Sequence, residues 1–169
     1  ALMHYNDNQS RSVLLGERIF NESELHSRLE VELDKFTKKV QIESRVLGDL
    51  AINHIVPTAV TYQNRLLENL RGLQEIFSNE EFEQIAEDRK DLVREISWRV
   101  TSIKTLVRDM IEARKVANNI ADHHERAVSY EENVRPFLDK IREHIDELEL
   151  EIDDEIWPLP KYRELLFNK

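Results

Sequence analysis

An all-α fold is predicted: an elongated antiparallel three-helix bundle, formed by a long helical hairpin plus a third helix, with a short C-terminal helix. Three observations predict it. Apolar residues recur in steps of three, four and seven through most of the chain, the spacing that gathers them on one helix face. Only three glycines and four prolines occur in 169 residues, too little turn chemistry for many short elements. Charged residues make up 34% beside 40% hydrophobic, a balance suited to a few long helices with much solvated surface.

Residues 1–20 read as a mixed lead-in, polar at Asn6-Asp7-Asn8-Gln9-Ser10 and then apolar at Val13-Leu14-Leu15. Such an opening, with no initiator residue, predicts a chain cut from a longer protein. Residues 21–154 read as the bundle, with helices at about 21–76, 79–127 and 133–154. Asn21 with Glu24 opens the first as a capping box. Leu25, Leu29, Leu33, Phe36, Val40, Leu47 and Leu50 then paint one stripe. Apolar residues thicken at Ile52, Ile55, Val56, Ala59 and Val60, so more neighbours are expected there. Pro57 is expected to kink this helix without ending it, because the stripe resumes at Leu66, Leu67, Leu70 and Leu73.

A second capping box, Ser78 with Glu81, starts a helix running back along the first. Its stripe includes Phe82, Ile85, Leu92, Ile96, Val100, Ile103, Val107, Met110 and Ala117. The third helix is expected after Ser129–Arg135 with Pro136 in its first turn, where a missing N–H costs least. Val134, Leu138, Ile141, Ile145, Leu148 and Ile152 give it a heptad register. Residues 155–169 form a tail, stiffened at Trp157-Pro158-Leu159-Pro160, whose closing helix runs from Lys161 to Phe167.

Composition removes several function classes. A net charge of -10 disfavours nucleic acid, whose phosphates need a cationic face; pairs such as Lys38-Lys39 and Arg89-Lys90 read as solvated helix faces. Cysteine is absent, which excludes disulfides and thiolate chemistry. The most apolar stretch, Val46 to Val60, is interrupted by Asp49, Asn53, His54 and Pro57 and does not read as a membrane span. With no signal peptide at its start, the chain is expected to be cytoplasmic.

The search for chemistry returns little. A di-iron bundle needs Glu-x-x-His on two helices, and none of the six histidines (His4, His26, His54, His123, His124, His144) has a Glu three residues before it. Asp122-His123-His124-Glu125 is the densest ligand cluster, but adjacent helical residues point about 100° apart, so it reads as the frayed polar end of the second helix. His54 reads as a buried, hydrogen-bonded histidine, or alternatively as a polar contact to another part of a larger protein. The acidic run Glu147–Glu155 keeps the heptad register and reads as a solvated face. No phosphate loop or Gly-x-Ser-x-Gly elbow is present. Catalytic, cofactor-binding and metal residues are therefore none, and the candidates are docking or packing residues: His54, Pro57, Trp157, Pro158, Pro160, Tyr162, Leu165 and Phe167.

One stretch is more particular than a generic helix. The run Asp153-Asp154-Glu155-Ile156-Trp157-Pro158-Leu159-Pro160-Lys161-Tyr162-Arg163-Glu164-Leu165-Leu166-Phe167 resembles the C-terminal end of type III glutamine synthetases, the large-subunit bacterial class. Lys39-Val40-Gln41-Ile42-Glu43-Ser44-Arg45, Asp49-Leu50-Ala51 and Ile55-Val56-Pro57 are similar to the segment following that family's catalytic domain, and Ile141-Arg142-Glu143-His144 and Leu148-Glu149 fit as well. The second helix matches only as an amphipathic helix. The resemblance implies a non-catalytic C-terminal region of a glutamate–ammonia ligase, whose parent chain uses ATP and a divalent metal (Mg or Mn) in a homo-oligomer. Its implied partners are the parent's catalytic domain and neighbouring subunits, with no nucleic acid and no membrane. A free-standing coiled-coil adaptor or scaffold stays open beside it, because the stripes alone serve both.

Overall fold

A computed structural model describes residues 8–161, with side chains from residue 9 onward. Among the described residues the structure is helical, with no strand: α1 (Asn8–Gly16), α2 (Glu22–Leu50), α3 (Val56–Ile76), α4 (Asn79–Asn118), α5 (His123–Ser129) and α6 (Arg135–Glu151). Five-residue π turns, Ala51–Ile55 and Tyr130–Val134, join α2 to α3 and α5 to α6. The chain divides into two compact units, residues 1–45 with 110–136 and residues 46–109 with 137–169.

Local chemistry sets the helix starts. At Asn21 the side-chain oxygen accepts the Glu24 N–H at 2.9 Å while Glu24 accepts the Asn21 N–H at 2.9 Å. Ser78 repeats the device: its N–H and hydroxyl donate to the Glu81 carboxylate at 3.1 and 2.7 Å, and its oxygen accepts the Glu81 N–H at 3.4 Å. The Ser78 hydroxyl holds the Glu81 carboxyl below its ordinary range. Each cap satisfies donors that a helix start otherwise leaves open. Replacing Asn21 by Ala is expected to lower unfolding free energy by about 1 kcal/mol; an unchanged urea midpoint would show the cap to be idle.

Both internal prolines follow a π turn. A proline ring inside a helix meets the carbonyl four residues back, and its missing N–H leaves a bond unmade. The Val56 N–H reaches back five residues to the Ala51 carbonyl, and the Arg135 N–H likewise reaches that of Tyr130. The wider turn gives Pro57 and Pro136 room, and the backbone stays helical through both.

In the first unit, α1 returns through Arg18, whose φ is 53°, and the Ile19 N–H closes onto the Leu14 carbonyl at 3.0 Å. The predicted lead-in thus contains a helix, tied to α2 by two Arg11–Glu22 hydrogen bonds of 2.7 and 2.8 Å. The buried set is Leu25, Leu33, Val40, Met110, Ala117, Ala127, Tyr130 and Val134, with Thr37 and Ser44 among them. Tyr130 is fully buried and donates to Asn118 Oδ1 at 2.7 Å.

In the second unit, α3 and the first part of α4 run antiparallel. Leu70 clusters with Phe82 and Ala86, and Leu73 and Val93 pack against them. Further along, the Gln63 amide donates to the Val93 carbonyl at 2.9 Å and to Ser97 Oγ at 2.5 Å. Helix α6 lies beside α4, where Arg99 binds Glu95 at 2.6 Å and Glu147 at 3.5 Å. Ile141, Ile145 and Leu148 form its buried stripe, and Ile152 just past its end is buried too. Surface charge is handled by short-range pairs such as Lys35–Glu32, Lys115–Glu112 and Arg135–Glu131, each worth under about 1 kcal/mol when exposed.

Two expectations need correction. The second helix does not continue to residue 127: α4 ends at Asn118, and Asp122 caps a new helix by accepting the Glu125 N–H at 2.8 Å. Arg126 fills the gap by donating to the carbonyls of Ile120 and Ala121 at 2.8 and 3.2 Å. The third helical run therefore starts at His123 rather than 133, and Pro136 lies within it, behind a π turn, instead of opening it.

Candidate functional site

The packing candidates separate by exposure. His54 is exposed, and its carbonyl accepts the Thr58 hydroxyl at 2.9 Å. This corrects the expectation of a buried histidine: the π turn puts Ala51, Ile55 and Ala59 on the inner face and turns His54 outward. Pro57 is exposed directly after that turn. Trp157 is buried at 8% exposure, whereas Pro158 and Pro160 face solvent. Tyr162, Leu165 and Phe167 lie outside the described residues, as does most of the predicted closing helix.

The tail before them is tightly organised around Asp153. Its carbonyl accepts the N–H groups of Ile156 and Trp157, each at 3.1 Å, and its carboxylate accepts the Glu155 N–H at 3.0 Å. Arg65 of α3 pairs with the same carboxylate at 3.6 Å. Lys161 donates to the Glu149 carbonyl at 2.6 Å and forms an ion pair with Asp154. The tail is thereby tied to α3 through Asp153 and to α6 through Lys161, on either side of buried Trp157.

The Asp122-His123-His124-Glu125 cluster is a helix start, not a frayed end. The backbone N–H of Glu125 holds the Asp122 carboxyl below its usual range. His123 and His124 border a cleft of about 310 Å³ in the first unit, together with Arg11, His26, Leu29 and Glu30. Among the described residues no three His, Asp or Glu side chains are placed to hold a metal ion. No helix among the described residues is long and apolar enough to cross a membrane.

Two features escaped the sequence reading. On α4 and α6, the Trp98 and His144 rings meet edge to face at 5.1 Å and 81°. Trp98 stays 58% exposed, while His144 Nδ1 is buried without a hydrogen-bond partner. Burial, and then the nearby Arg99, push the His144 pKa below 6.5, with Glu143 opposing. The folded state thus binds this proton less readily than the unfolded chain. Stability held above pH 6.5 is expected to fall as pH drops through 6.5 toward the lower folded value, and His144→Gln is expected to flatten that part of a pH–stability curve. An identical acid slope in the variant would remove His144 from the effect. The other missed feature is Arg114, half-buried on α4 opposite Arg45.

The chain matches the family described as glutamine synthetase C-terminal domain over residues 1–74. Over all 169 residues it is 73% identical to a glutamine synthetase of Bacteroides fragilis (strain YCH46). That alignment covers all of this chain and 23% of the Bacteroides protein's length, so the chain spans about a quarter of the relative it matches. It is also 23% identical over 167 residues to a type-3 glutamine synthetase of Dictyostelium discoideum, covering 99% of this chain and 23% of that protein. With a glutamine synthetase of Butyrivibrio fibrisolvens it shares 22% identity over 150 residues, 89% of this chain and 21% of that protein. The family match contains the Lys39–Arg45 and Ile55–Pro57 stretches; the terminal Trp157-Pro158-Leu159-Pro160 run lies in the longer alignments.

Proposed function

We propose that this chain is the helical C-terminal region of a glutamine synthetase subunit, and that it packs against the rest of that subunit or its neighbours without itself carrying out chemistry. The observation that carries this reading is the alignment of all 169 residues with the C-terminal part of a synthetase more than four times as long, at 73% identity. Exposed large apolar side chains support a packing role: Ile76 and Leu150 are 77% and 79% exposed, and Trp98 joins them on the second unit. Covering side chains of this size with further protein surface is favourable in proportion to the apolar area removed from water.

The parent reaction is the ATP-dependent joining of ammonia to glutamate, with Mg or Mn bound in the parent's catalytic domain, in a cytoplasmic homo-oligomer. This region supplies surface to that assembly, and none of its residues is assigned to the reaction. In the full-length synthetase, deleting the segment equivalent to residues 21–161 is expected to lower the native oligomer mass and, with it, ligase activity. Native mass and activity both unchanged after the deletion would refute the assembly role.

A further inference from the structure

Arg114 occupies a position that helical packing normally gives to an apolar residue. The buried residues Val107, Met110 and Ala117 step by three and then seven, and Arg114 fills the interval at the heptad position between the last two. Its Nε is buried and has no hydrogen-bond partner. A buried Nε–H is ordinarily matched by an acceptor, yet no hydrogen bond reaches it and no ion pair to Arg114 or Arg45 occurs among the described residues.

What faces it is another cation. Gln41 of α2 donates to Asn118 of α4 at 3.3 Å. The helices run antiparallel there, so moving four residues forward on α2 and four back on α4 sets Arg45 beside Arg114. Their mutual repulsion adds to burial in lowering the Arg114 pKa. The carboxylates two residues along each helix are already engaged, Glu43 by Lys39 at 3.9 Å and Glu112 by Lys115 at 2.7 Å, and Asp49, one turn beyond Arg45, accepts from Asn53 at 2.6 Å. Arg45 is exposed, so solvent reaches this pair from the α2 side.

We propose that Arg45 and Arg114 form a binding site for a small oxyanion, a carboxylate or a phosphate, held between the two guanidinium groups. An anion there converts a repulsive pair into two charge-assisted hydrogen-bonding partners and gives the orphaned Nε–H of Arg114 an acceptor. The neighbouring polar set of Gln41, Asn118 and Tyr130 is already hydrogen-bonded within itself, so it supports the site's wall without competing for the anion.

The test follows the Arg114 Nε–H resonance in the ¹⁵N-labelled 169-residue chain, assigned by its loss in Arg114→Gln. Sodium acetate and inorganic phosphate are titrated separately against chloride at constant ionic strength. The expected result is a saturable shift with at least one of them, weakened about tenfold or more in Arg45→Gln; that variant changes an exposed side chain and is expected to fold. Saturation by phosphate alone identifies a tetrahedral anion as the occupant, and saturation by acetate alone a carboxylate. A shift that stays linear with both anions, or a binding curve unaltered in Arg45→Gln, overturns the proposal.

Discussion

Tyr130→Ala is expected to destabilise the chain by about 3–5 kcal/mol, the cost of removing a large aromatic side chain from a packed interior. Tyr130 is among the largest side chains with no exposure, and it stands between buried Ala127 and Val134 at the π turn. Two effects combine. The ring leaves a cavity that helical backbone on either side can close only partly. The hydroxyl also leaves Asn118, whose side-chain oxygen it shares with Gln41. Tyr130→Phe separates the two: it keeps the ring, removes the hydrogen bond, and should cost about 1 kcal/mol. Urea unfolding followed by circular dichroism reads both variants. Equal losses in the two would mean that the hydroxyl, and not the ring, holds this part of the first unit.

Trp157→Ala carries the second large effect, about 3 kcal/mol or more, but it is expected to act locally. Trp157 is nearly buried, while the residues around it, Glu155, Pro158 and Pro160, are exposed. The tail is otherwise held by hydrogen bonds to Asp153 and by Lys161 on the Glu149 carbonyl. Removing the indole should release the segment from α6 well below the free energy of global unfolding. Hydrogen exchange should then quicken at the Ile156 amide and at Lys161 while amides in α4 keep their protection. Unchanged exchange at Ile156 would show that the Asp153 turn, not the indole, fastens the tail.

Features set by near neighbours were legible in the sequence. The Asn21–Glu24 and Ser78–Glu81 caps each need only residues three apart, so they can be recognised without knowing what the helix packs against. The start at Asp122 carries the same signal, since Asp122 and Glu125 have the spacing of a cap and its partner. Apolar residues mask it, because Ala117 and Ile120 keep the helical spacing of three across the break. The π turns were not legible: a wide turn shifts the apolar register by a single residue, which in sequence reads as one more step of four, and only the inward placement of Ala51, Ile55 and Ala59 reveals that His54 must face out. Arg114 was hidden for a related reason. A stripe read from apolar residues passes over a charged one at the same heptad position, and the opposed Arg45 comes from a distant part of the chain. The contact between Trp98 and His144 is tertiary in the same sense.

The π turn at Ala51–Ile55 also bears on how this sequence tolerates changes in length. In a regular helix, losing one residue rotates everything downstream by about 100° and carries its apolar stripe out of the core. A π turn already holds one residue more than an α turn, so shortening this segment by one, for instance at exposed His54, would leave Ala59 and Leu70 facing inward. The obstacle is then only Pro57, whose ring would meet the carbonyl it now avoids. Length variants at this point should therefore travel with the proline: shortened chains without it fold, and shortened chains that keep it do not.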